Sequence, residues 1–183
     1  MNVFKLTPDC NRYQNLVFAS KEDWAIFDRF DGRSILPSWP QPVVEVLRDK
    51  KFNRNLPPGD FPSLFLPGVP VFSLRAVNVL RSILQENGET LPLSCGEGEY
   101  FAFNVTTFID ALDESNSEIE RFESSGRIMR VLKFAFFPDM LREAAIFKIP
   151  QFRRTQVYVT DQFRNIVVNN HLIGFVFVKV WEG

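Results

Sequence analysis

The spacing of apolar residues changes period along this chain, and each change marks an element. Asn2–Leu6, Asn15–Ser20 and Trp24–Phe30 are short apolar-rich runs that predict strands, with Asp31-Gly32 as a turn. Eight of the twelve prolines lie between Pro37 and Pro70, a density that breaks helices and keeps segments out of central strands. That stretch reads as extended or loop segments on the surface, with one short helix near Val43–Asp49.

From Val71 the pattern sharpens. Ser73 is a good N-cap, and Leu74, Val77, Leu80, Ile83 and Leu84 follow at helical spacing until Asn87-Gly88 supplies a stop. Tyr100–Thr107 alternates, with Phe101, Phe103 and Val105 on one side, which predicts a strand buried on one face. Ser117–Phe122 and Arg127–Phe136 flank Ser124-Ser125-Gly126 as the arms of a hairpin. Gln156–Val159 predicts a strand, Thr160 or Asp161 a cap, and Phe163, Ile166, Val167 and Asn170 one face of a second helix. Phe175–Trp181 is apolar on both faces, which places it centrally in a sheet.

Six or more strands and two main helices, not strictly alternating, predict an α+β fold with the helices packed on a mixed or mostly antiparallel sheet. The expected organisation is residues 1–70, with strands and proline-rich extended segments packed on the same domain, followed by an α+β core over 71–183.

Composition changes this picture at one point. Twenty of the 183 residues are phenylalanine, against three tyrosines and three tryptophans. Aromatic surface without a polar handle belongs in a core or at a partner interface. Twelve of the twenty follow Tyr100 and many alternate along strands, as core residues do. Phe52, Phe61 and Phe65 sit among the prolines instead and are candidates for partner contact.

Charge and motif content narrow the function. A formal net charge of −1 lacks the basic excess that sequence-independent nucleic-acid binding requires. No apolar run approaches the roughly 18 residues that span a bilayer. The N-terminus has no apolar leader segment, so the expected location is the cytoplasm. Cys10 and Cys95 make neither a disulfide framework nor a metal spacing, and the single His171 follows a helix whose C-terminus favours a capping role. Gly96-Glu97-Gly98-Glu99 puts acids where a phosphate loop cannot have them, and reads as a turn into the Tyr100 strand. No cofactor or metal ion is expected. Asp110, Asp113, Glu114, Glu118, Glu120 and Glu123 then fall close together with Arg121 as the only base, giving this segment a charge of −5. The sign reverses over Arg127–Arg154. The acids could pair with the following basic strand, dock a partner protein, or serve acid-dependent hydrolysis or metal binding. Asp110, Asp113, Glu114, Glu118 and Glu120 are the candidate partner-binding residues.

Two stretches resemble a known family when taken together. One runs Phe101-Ala102-Phe103-Asn104-Val105-Thr106 to Asp110-Ala111-Leu112-Asp113 with Ser117-Glu118. The other runs Ile146-Phe147-Lys148-Ile149-Pro150, then Val157-Tyr158-Val159-Thr160-Asp161-Gln162-Phe163 and Leu172-Ile173-Gly174-Phe175. In this order they resemble the eleventh immunity-protein family of bacterial polymorphic toxin systems, over roughly Val71 to Trp181. The resemblance implies a non-enzymatic protein that binds and neutralises a cognate toxin in the compartment where that toxin acts. It assigns no binding residues. A non-catalytic adaptor domain in a secretion or regulatory complex is the alternative.

Overall fold

The computed structural model describes residues 1–48 and 55–183, the side chain of Phe27 excepted. In chain order the elements are β1 (Asn2–Pro8), β2 (Leu16–Phe18), a 3-10 helix (Glu22–Arg29), β3 (Val44–Val46), β4 (Val71–Ser73), α1 (Leu74–Val79), α2 (Arg81–Asn87), β5 (Gly88–Leu93) and β6 (Tyr100–Val105). There follow β7 (Glu118–Arg121), β8 (Ile128–Lys133), β9 (Ile146–Phe147), β10 (Tyr158–Thr160), α3 (Asp161–Asn169) and β11 (Phe175–Glu182). The fold is α+β, and every pairing between these strands is antiparallel.

Two sheets carry the molecule. The larger has the order β11-β1-β10-β9, so the first and last strands of the chain lie side by side. One of its faces packs Phe4, Val159 and Ile146 against Phe163 and Val167 of α3 and Leu80, Ile83 and Leu84 of the first helical stretch. The opposite face packs Val3, Phe147 and Tyr158 against Phe134, Phe136 and Leu141. The second sheet, β4-β6-β5, turns Phe72 and Phe103 to the first of these clusters. Its other side buries Val71, Leu91 and Ala102 with Leu16, Phe18, Val44 and Val46 of the β2–β3 pair.

Several sequence expectations change for physical reasons. Trp24–Phe30 is not a strand: Trp24–Arg29 belongs to the 3-10 helix, and Ile26 within it and Phe30 just after it are buried among the described side chains. Val43–Asp49 is not a helix over its described part. Val44 and Val46 are buried and Glu45 is exposed, and this alternation pairs β3 with β2 (Asp49 lies outside the described residues). The strand at Tyr100–Thr107 is buried on both faces, because β6 is the middle strand of its sheet. Its Asn104 is fully buried and donates to the Arg33 carbonyl and the Glu89 carboxylate, which satisfies the amide nitrogen. The helical stripe from Leu74 to Leu84 is delivered by two short helices meeting at Leu80, giving three α-helices among the described residues rather than two. Among the described residues β11 is an edge strand and not a central one, since there only β1 pairs with it.

The caps differ as well. The Ser73 hydroxyl accepts from Ala76 N, as its position predicts. Neither expected cap serves α3, however. Thr160 Oγ1 donates to the Ala144 carbonyl, and the Asp161 carboxylate accepts from the Asn2 backbone and side chain. Both groups are taken by neighbouring segments, β1 and the residues before β9, that the local pattern could not reveal.

Candidate functional site

The acidic segment leaves β6 and runs into the β7–β8 hairpin, which forms a small sheet of its own. Ile119, Ile128 and Val131 turn inward and pack on the Phe134–Phe136 cluster. The hairpin closes at Gly126, whose φ of +68° lies in the left-handed region that glycine adopts without steric cost.

The five candidate carboxylates lie along one turn and strand, and most of them already have partners. Asp113 organises the turn: one oxygen accepts from the backbone N–H groups of Ser115 and Asn116, the other from the Asn116 side chain. The Asn116 amide, aided by those backbone bonds, holds the Asp113 carboxyl below the usual carboxylate range. Glu114 pairs with Arg121 at 2.6 Å, and that hydrogen bond lowers its pKa as well. The Gln151 amide reaches both Asp110 and Glu114, at 3.1 and 3.2 Å, and ties the acidic turn to the segment after β9. Glu120 takes a two-pronged contact from Arg130 across the hairpin, which likewise lowers its pKa. Glu118 faces Lys133 in the ladder but forms no ion pair among the described residues. The sign reversal read from the sequence is expressed as one cross-strand ion pair, Glu120–Arg130, while Glu114 pairs within the acidic segment.

The sequence reading missed three exposed apolar residues beside these charges. The ladder pairs Glu118 with Lys133 and Ile119 with Val131, then Glu120 with Arg130 and Arg121 with Ile128. The first and last steps each skip one residue of β8, so Leu132 and Met129 are the extra residues of two bulges. A bulge re-aims side chains that a regular ladder would place alternately. Leu132 is 48% exposed and Met129 44%, and Phe122 at the hairpin end is 45% exposed. An open cleft of about 650 Å³ lies between this hairpin and the segment after β9, lined in part by Glu114, Arg121, Phe122, Met129, Gln151 and Phe152. Neither strand's own sequence signals the bulges, because they depend on the register of the two together.

The other candidate aromatics divide. Phe61 is buried and stacks on Phe175 with ring centroids 4.8 Å apart. Phe65 is half exposed and held at φ +56°, with its N–H donated to Ser63 Oγ, while Leu64 and Leu66 on either side are buried. Phe52 lies outside the described residues. His171 ends α3 at φ +52°, and its carbonyl accepts from Arg75. Cys10 and Cys95 are both free thiols. Among the described residues no group of His, Cys, Asp and Glu is placed to hold a metal ion, and no helix is long and apolar enough to cross a membrane.

The hairpin thus joins Glu120 to Arg130 across its strands and leaves Phe122, Met129 and Leu132 exposed. The chain belongs to the Imm11 immunity protein family, whose model matches residues 7–182. The match takes in the proline-rich N-terminal region as well as the stretch from Val71 that carries the resemblance in sequence. A comparison with curated proteins found no match.

Proposed function

We propose that this protein is a non-enzymatic inhibitor that binds a cognate bacterial toxin in the cytoplasm and blocks it. Membership of an immunity family supports the class of partner. The observation that carries the choice of surface is the double bulge of β8, with Met129 and Leu132 exposed on the same hairpin as Phe122. In this reading Phe122, Met129 and Leu132 are the contact residues that exclude water. Asp110, Asp113, Glu114, Glu118 and Glu120 form the polar margin. Glu118, with no ion pair among the described residues, steers a basic toxin surface. Glu114 and Glu120 act mainly by holding Arg121 and Arg130 in place.

The test is binding and growth rescue with the toxin domain encoded by the adjacent gene. Co-expression of the wild-type protein restores growth, and Met129→Asp with Leu132→Asp abolishes rescue while the folded signal persists. Glu118→Lys with Glu120→Lys slows association more than it speeds dissociation. A toxin that remains active beside the wild-type protein overturns the functional reading. Full rescue by the Met129 and Leu132 double variant overturns the choice of surface.

A further inference from the structure

The last strand presents a contradiction between its sequence and its place. Phe175–Trp181 is apolar on both faces, as a central strand is, yet β11 lies at the edge of its sheet. Phe175 and Phe177 pack inward beside Phe61, Phe72 and Phe163. Val176 and Val178 face the other way and are exposed, at 36% and 47%.

The hydrogen-bond register fixes which backbone groups are free. The Leu6 N–H donates to Val157 O on the β10 side, and Asp9 N donates to Gly174 O. In an antiparallel ladder consecutive residues point to alternate sides. Gly174, Val176 and Val178 therefore bond toward β1, and Ile173, Phe175, Phe177 and Lys179 point their N–H and C=O groups outward. Asp60 satisfies the outward groups of Ile173, since its N–H donates to Ile173 O and its carboxylate accepts from Ile173 N. At the other end the register slips at Val180, because Val3 pairs with Trp181 and Phe4 with Lys179. Between these two stops, the outward groups of Phe175, Phe177 and Lys179 have no partner among the described residues.

That free edge is symmetric about Phe177. We propose that β11 pairs antiparallel with β11 of a second copy of this chain, with the two-fold axis at Phe177. Each Phe177 then exchanges both backbone bonds with its counterpart, and Phe175 does so with Lys179 of the other copy. Val176 meets Val178 across the axis, and the four valines cover one another on the otherwise open face. Lys179, the only charge within Phe175–Lys179, falls opposite Phe175 rather than opposite itself, so no like charges meet. An unprotected edge strand is a template for such pairing, and here the ladder uses each free group once. β11 becomes an interior strand, which is the position its two apolar faces describe. This inference is independent of the toxin reading and involves a different surface.

Sedimentation equilibrium of the full chain tests it, with a dimer expected at twice the 21.2 kDa chain mass. Lys179→Pro removes one outward N–H without touching a bond to β1, and Val176→Lys with Val178→Lys gathers four charges at the axis. Both variants are expected to weaken the dimer at least tenfold while keeping the wild-type circular dichroism. In a Cys10→Ser, Cys95→Ser background, Val176→Cys with Val178→Cys is expected to oxidise to a covalent dimer, because directly opposed non-bonded pairs place Cα atoms about 4.5 Å apart. A wild-type chain that stays monomeric through the millimolar range overturns the proposal. So does a dimer that survives both edge variants, or a cysteine pair that never cross-links.

Discussion

The β1–β10–β11 sheet and the β7–β8 hairpin are both antiparallel and both rich in apolar residues, yet they spend them differently. β1 and β10 bury side chains on both faces: Val3 and Tyr158 on one, Phe4 and Val159 on the other. The hairpin partly buries Ile119 and Val131 on one face and turns Met129, Leu132 and Phe122 to solvent. Burying apolar surface stabilises the fold, whereas apolar surface left open after folding is available for a partner. With the hairpin as the proposed recognition surface, substitutions in the two regions are expected to have opposite signatures, lost stability in the central sheet and lost binding in the hairpin.

The largest expected contrast is in the core. Phe72→Ala empties a fully buried site among Phe61, Phe103 and Phe175, and is expected to cost about 3–5 kcal/mol in denaturant unfolding. A loss below about 1 kcal/mol would break the assignment of stability to this sheet.

Lys148 gives the next effect, with the opposite sign. Its side chain is fully buried, and Nζ has no hydrogen-bond partner among the described residues. Burial pushes its pKa down to about 8, opposed weakly by the charge of Asp31. Below that value both folded and unfolded chains carry the proton and the fold bears the whole desolvation cost. Between about 8 and the ordinary value of 10.5 the unfolded chain binds more protons, so stability rises with pH. Lys5, whose pKa burial also lowers, adds in the same direction. Above about pH 10 the buried phenols of Tyr100 and Tyr158, held protonated by burial, reverse the slope. Lys148→Met is expected to stabilise by roughly 3 kcal/mol at pH 7 and to flatten the rise. Chemical denaturation from pH 7 to 10 on both proteins reads this out, and an unchanged slope in the variant rules it out.

Asp60 joins the proline-rich segment to both ends of the helical layer. Its buried carboxylate accepts from Ser73 Oγ, Arg75 and Ile173 N. Asp60→Ala is expected to cost about 2 kcal/mol, since it strands these donors. The smallest effect belongs to the hairpin: Met129→Ala and Leu132→Ala should each shift stability by less than about 0.5 kcal/mol. If either cost as much as Phe72→Ala, the hairpin would be part of the core and the contrast between the regions would disappear.

Legibility in the sequence followed the range of the interactions. Ser73 and its helix, the hairpin turn at Gly126 and the buried stripe of α3 were readable, because each is set by residues a few positions apart. The candidate carboxylates were legible as a charge pattern that could pair with the following basic strand, but the particular partners Arg121, Arg130 and Gln151 depend on register and tertiary placement. The exposed Met129 and Leu132 escaped notice for the same reason: a bulge is a property of two strands, and the composition of one does not encode it.

What the sequence determined by itself was the α+β class, most element positions, and the family through its ordered motifs. Periodicity reports how many faces of a segment are apolar, and a single chain carries that information locally. Only the tertiary structure decided which neighbour covers each face. β11 is the clearest case: its two apolar faces were correctly read, but burial comes from the strands beside it, and β1 stands on one side alone. The same long-range pairing took Thr160 and Asp161 away from the cap of α3 and gave them to Ala144 and Asn2. Contacts between residues more than 150 positions apart follow from chain topology, which the period of a sequence does not fix.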